Sequence, residues 1–173
     1  MTPANPPGDA NERDDGTVIV PVAFTAPAIG ETAFRRADLI VEGVPHESSS
    51  YEVRIFLNNP DASADTPRTQ EAGYAGDFNI FGHGGCFGAT GHCDIEGAPT
   101  ATEAAAVAVA MPHPLTLRTK TVTVTETLKA VLRRDGKLET VTFVPIRMAP
   151  RRSDCGPAAG LFSYKKIRLE SYR

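Results

Sequence analysis

A chain of 173 residues is long enough for one domain with its own core and too short for two well-built ones joined by a linker. Its 41% hydrophobic and 23% charged residues and net charge of -3 fit a globular protein. They exclude a nucleic-acid-binding surface, because the basic clusters Arg133-Arg134, Arg151-Arg152 and Lys165-Lys166 are only pairs. No run is apolar enough to cross a bilayer, the longest weakly apolar stretch, 104–111, being mostly alanine.

The opening MTPANPPGDANERDDG (1–16) lacks the basic and apolar regions of a secretory signal and reads as a disordered lead-in, followed by a single domain over 17–173. TVIVPVAF (17–24) predicts a strand, placed at a sheet edge by Pro21, which cannot donate to a ladder. ADLIVEGV (37–44) predicts a second. In YEVRIFLN (51–58), Val53, Ile55 and Leu57 alternate with Glu52 and Arg54, the period of a strand with one buried face. The polar stretch 58–73 reads as a long surface loop, after which GYAGDFNIFG (73–82) resumes an extended pattern.

The stretch FGHGGCFGATGHCD (81–94) carries His83, Cys86, His92 and Cys93 among glycines at 82, 84, 85, 88 and 91. Imidazole and thiolate are ligands that zinc and Cu(I) prefer, and four of them could close a tetrahedral shell. The adjacent His92 and Cys93 would have to bend sharply onto one ion, which the glycines permit. The competing reading is a disulfide between Cys86 and Cys93 across a small ring, worth about 2 kcal/mol. An oxidising compartment favours the disulfide and a reducing one the ion or free thiols, and the three cysteines leave both open, since Cys155 has no obvious mate. A Cys–His nucleophile is remote, because only Asp94 is at hand to orient the imidazole. Core packing is the default for Phe81 and Phe87, and His46, after Pro45, and His113, between two prolines, are expected in a turn and a connector, with His46 exposed to solvent.

An Ala/Pro-rich connection follows over 97–114, with a weak helical turn around 103–109. LRTKTVTVT (117–125) predicts a strand with Thr119, Thr121 and Thr123 on one face and Val122 and Val124 on the other. Leu128, Val131 and Leu132 predict a short helix over 125–135, with Glu126 in its first turn, Arg133 and Arg134 in its last and Gly136 to stop it. KLETVTFVPI (137–146) and LFSYKKIRLE (161–170) predict the closing strands. The sum is an all-β domain, a β-sandwich or partly closed barrel of about seven strands with one short helix.

The order of these motifs resembles the C-terminal domain of polyphenol oxidases and other tyrosinase-like type-3 copper proteins. YEVRIFLN, GYAGDF (73–78), TVTVTETLKAVL (121–132), VTFVP (141–145) and KKIRLE (165–170) stand in the order of that domain's motifs, over roughly residues 51–170. The resemblance implies a β-sandwich that covers the mouth of a dinuclear copper site on a separate catalytic domain and presents a side chain that blocks substrate. An aromatic from the loop, Phe81 or Phe87, is the expected plug, since a ring mimics a phenol. The family's copper centre takes three histidines for each copper ion, whereas this sequence has only His46, His83, His92 and His113, none paired at helical spacing. The chain is therefore expected to lack oxidase chemistry of its own. Two alternatives stay beside this reading: a small copper- or zinc-binding protein using 83–93, and a stand-alone interaction or structural domain. Copper or zinc is the cofactor in the first of these, and no compartment is indicated.

Overall fold

The structure is a computed structural model that describes residues 10–22, 34–46, 50–82, 116–148 and 160–172. Among these residues the chain forms strands β1 (Asn11–Glu12), β2 (Val18–Pro21), β3 (Arg36–Val44), β4 (Tyr51–Leu57), β5 (Tyr74–Ile80) and β6 (Arg118–Thr123), helix α1 (Thr125–Asp135), then β7 (Thr140–Arg147) and β8 (Lys166–Tyr172). They assemble into two antiparallel sheets, one ordered β1-β2-β7-β4-β5 and the other β6-β3-β8. The domain is thus an all-β sandwich, and the partly closed barrel is not formed: β5 and β6, the facing edges of the two sheets, share no ladder.

The alternation in β4 does what its pattern requires. Val53, Ile55 and Leu57 are buried in the inter-sheet core with Val18, Phe78, Val141 and Phe143 from the same sheet and Leu39, Val41 and Val122 from the other. Glu52 and Arg54 face outward, but Phe56 on that same outward face is fully buried. It lies in a second small cluster with Ala62 and Val144, against Tyr74 and Ile146. The 58–73 segment is therefore a lid folded onto the outer face of the sheet, and its turns are satisfied internally, with Tyr74 N donating to Thr69 O (3.0 Å) and Leu57 N to Gly73 O (2.8 Å). Gly73 is required there: at φ +83° an added Cβ would stand 2.4 Å from the Leu57 carbonyl oxygen.

Helix α1 has the expected bounds. Leu128, Val131 and Leu132 are buried, and Gly136 ends the helix in the left-handed conformation (φ 77°), its N–H donating to Leu132 O at 3.0 Å. The helix joins the sheets at one end of the sandwich. Ala37 N of β3 donates to Thr125 Oγ1 (2.9 Å), and Thr127 Oγ1 donates to Tyr74 O of β5 (2.8 Å).

Several expectations are corrected. The stretch 10–16, assigned to a disordered lead-in, contains β1, held by pairing with Val18 and Ile19 of β2. That places β2 one strand in from the edge, yet β1 stops short of Pro21, which among the described residues pairs with Thr140 of β7 alone and has no strand neighbour on its other side. The last strand starts at Lys166 and not at Leu161. Phe162 and Tyr164 turn inward instead, with ring centroids 5.2 Å and 6.1 Å from Phe143, because the open edge of the core takes more apolar area from two rings than from a strand's alternating face.

Candidate functional site

Helix α1 closes one end of the sandwich, and the register of the strands defines the other. Tyr51, the first residue of β4, lies opposite Ile80 of β5 and Arg147 of β7, while Val44 at the end of β3 lies opposite Arg118 at the start of β6. His46, Ile80, Phe81, Arg118 and Lys120 converge there around a cleft of about 280 Å³. Phe81 projects from it at 75% exposure, and Met148, just beyond the end of β7, is 51% exposed.

The ring of Phe81 is outside the core because the ladder ends one residue earlier. Ile80 takes the last inward position on β5, opposite Tyr51, so the following side chain leaves the sheet. This corrects the default of core packing for Phe81. The next residue is fixed: Gly82 N donates to Ser50 Oγ at 3.0 Å, so the exposed ring stands on an anchored stem.

His46 is buried, at 5% exposure, and not solvent-facing as the preceding proline suggested. Its Nε2 lies 2.9 Å from the carbonyl oxygen of Thr116. A carbonyl can only accept, so Nε2 carries a proton, and its partner Thr116 lies just before β6, the neighbour of β3 in the same sheet. Tyr51 Oη donates to Pro45 O (3.4 Å) and packs beneath the same turn.

His83, Cys86, Phe87, His92, Cys93, Asp94, His113 and Cys155 lie outside the described residues, so the metal array, the disulfide pairing and the second plug residue have no geometry here. Among the described residues no group of three or more His, Cys, Asp or Glu side chains is placed to hold a metal ion.

A second polar cluster covers the outer face of β4 and β5. Arg68, from the 58–73 lid, reaches Glu52 (2.7 Å) and Asp77 (3.8 Å), Arg54 reaches Glu52 (3.4 Å) and Ala64 O (2.6 Å), and Tyr74 donates to Asp77. Burial of the Tyr74 phenol, then its hydrogen bond to and the charge of Asp77, push its pKa up to about 12. The cluster ties the lid to the sheet through ion pairs on Glu52, while the buried Arg54 Nε has no hydrogen-bond partner among the described residues.

No protein-family model and no curated protein matches the chain. Among solved structures, the chain is similar to a latent aurone synthase (polyphenol oxidase) from natural source, at 19% identity and a TM-score of 0.49, over 92% of this chain and 25% of that one. It is similar also to the recombinantly expressed latent aurone synthase (polyphenol oxidase), at 17% identity and a TM-score of 0.48, over 95% of this chain and 25% of that one. The chain thus spans about a quarter of the length of these structures.

Proposed function

We propose that this domain is a non-catalytic shielding and assembly module for a type-3 copper oxidase catalytic domain, and that Phe81 is the side chain it presents to the substrate mouth. The observation that carries the reading is Phe81 itself: an aromatic ring, 75% exposed, on a stem fixed by the Gly82–Ser50 hydrogen bond, at the end of the sandwich left open by α1. Phe81 and Met148 are large apolar side chains left exposed at this same end, and exposed apolar area of this kind is what a contact surface would use.

The motif order supports the same reading. YEVRIFLN falls on β4, GYAGDF on β5, TVTVTETLKAVL on the β6–α1 unit, VTFVP on β7 and KKIRLE on β8, so the residues of the resemblance build both sheets and the helix between them. In this reading copper belongs to the partner. The His83–Cys93 array begins two residues after the plug and stabilises the loop beside it, through a Cys86–Cys93 disulfide or through an ion held by the four side chains.

The test is to mix the full chain with a separately produced type-3 copper oxidase catalytic domain and to measure binding and phenol oxidation together. The wild-type chain is expected to bind and suppress turnover, and Phe81→Ala to bind while restoring most of it. Absence of both binding and suppression defeats the proposal. Suppression that survives Phe81→Ala removes Phe81 as the plug.

A further inference from the structure

The cleft at the open end has an uncommon lining for a position between two sheets. Along β6 the side chains alternate, with Thr119, Thr121 and Thr123 exposed outward and Val122 buried inward. Arg118 and Lys120 share the inward parity of Val122, and both line the same cleft as the buried Ile80. They share the core-facing parity of an edge strand at its open end, Arg118 exposed and Lys120 half-buried.

Most other arginines of the described chain are neutralised: Arg13 by Asp15, Arg36 by Asp38, Arg54 and Arg68 by Glu52, Arg134 by Asp135 and Arg168 by Glu42 and Glu170. Neither Arg118 nor Lys120 makes an ion pair among the described residues, and none of the described residues lining the cleft is an acid. Two cations without an ion pair among the described residues, side by side at the rim of a partly apolar cleft, repel each other and favour an incoming anion. Inward-pointing charge also keeps an edge strand from pairing with another chain, but that role would need no aromatic wall and no ordered imidazole beside it.

We infer that this cleft is a binding site for a small aromatic carboxylate. The Arg118 guanidinium is suited to grip a carboxylate through two parallel hydrogen bonds, with the Lys120 ammonium as a second positive charge. Ile80 supplies an apolar floor, Phe81 a ring face at the lip, and His46, oriented by the Thr116 carbonyl, a polar wall. The volume of about 280 Å³ lies near the lower end of ligand clefts and suits a single ring with a short acidic substituent. This goes beyond the shielding role and does not depend on it, since the ligand meets this chain alone.

The test is calorimetric titration of the full chain, without any oxidase, using benzoate as the probe, benzyl alcohol as the uncharged ring and acetate as the charge without a ring. Benzoate is expected to bind saturably and more weakly as salt is added, with benzyl alcohol and acetate each at least about tenfold weaker. Arg118→Gln with Lys120→Gln should weaken benzoate by about tenfold or more, and Phe81→Ala should weaken benzoate without changing acetate. Circular dichroism checks that the double variant folds, and Arg118→Lys, which keeps the charge and loses the planar fork, gives a second measure. Equal binding of acetate and benzoate would show an adventitious anion only and overturn the site. So would benzoate affinity indifferent to Arg118 and Lys120. An oligo-glutamate peptide that binds more tightly than benzoate, and is lost in the same variants, would replace it with a docking surface for an acidic protein segment.

Discussion

Asp38 sits in the middle of the three-stranded sheet, opposite Thr123 on one side and Glu170 on the other, with only 5% of its side chain exposed. Burial by itself works to raise its pKa, but hydrogen bonds from Arg36 Nε (2.8 Å) and Thr123 Oγ1 (2.8 Å), with the charge of Arg36, outweigh it and hold the carboxyl below its usual value. Since the folded form is the weaker base, the stabilisation is complete above the unfolded pKa and is lost as pH falls through the lowered folded one. Asp38→Asn should therefore destabilise by about 1–3 kcal/mol at neutral pH, with a gap to wild type that shrinks on acidification. Urea unfolding at neutral pH and below the unfolded carboxyl pKa reads both; a gap that is constant or grows in acid would contradict the assignment. ADLIVEGV made the strand legible, but not the burial of this side chain, which depends on strands brought alongside from further down the chain. His46 shows the same limit more sharply: its local setting after Pro45 suggested exposure, and the carbonyl that orders it belongs to Thr116, 70 residues away.

Elements defined by local signals were legible. The helix period of Leu128, Val131 and Leu132 and the glycine stop at 136 depend on nothing beyond their own turn, and the alternations of β4 and β6 are equally local. β1 was not legible, because two residues make a strand only where β2 offers a ladder. Between these cases lies Asn58, which ends β4 in the left-handed region at φ 50°, a conformation that asparagine tolerates better than most residues. Its Nδ2 donates to Asp135 Oδ2 (2.9 Å) and Lys137 O (2.8 Å), and its Oδ1 accepts from Glu139 N (2.6 Å) and Thr140 N (3.2 Å). One side chain thus fastens the end of β4 to the connection between α1 and β7. Asn58→Ala removes the clamp and leaves a Cβ-bearing residue at positive φ, for an expected loss of about 2–3 kcal/mol; Asn58→Gly removes the clamp but accepts the backbone, and should fall between the two. Hydrogen bonds from Arg134 first and Asn58 second lower the Asp135 pKa to about 2, so either variant should also move that titration back toward an ordinary carboxylate. Thermal midpoints and an NMR titration of Asp135 test the pair of effects, and an Asn58→Gly variant as unstable as Asn58→Ala would remove the backbone part of the argument.

At the scale of the molecule, the strand order separates what is near in sequence from what is near in space. β4 and β5 are sequential neighbours joined by the compact 58–73 lid, whereas β3 finds its partners far downstream: Thr123 of β6 bonds Asp38 across 85 residues, and Arg168 of β8 bonds Glu42 across 126. Closing such long loops precedes any gain from the contacts they bring, which makes pairings of this kind slow. Refolding is expected on the millisecond-to-second scale, with the amides of β4 and β5 protected early and those of β3 and β8 late. The open end is assembled from the finish of β3, the finish of β5 and the start of β6, so the cleft around His46 exists only once both sheets have closed on each other. Its formation should belong to the last phase, and the contact between His46 Nε2 and the Thr116 carbonyl is a probe placed inside it. Pulsed hydrogen exchange followed by NMR would resolve the order through the strand amides, and the His46 ring resonances would time the cleft. Native His46 shifts arriving with the β4–β5 amides, ahead of those of β3 and β6, would mean that the open end forms without the second sheet, and the account of the cleft as a product of the closed sandwich would fail.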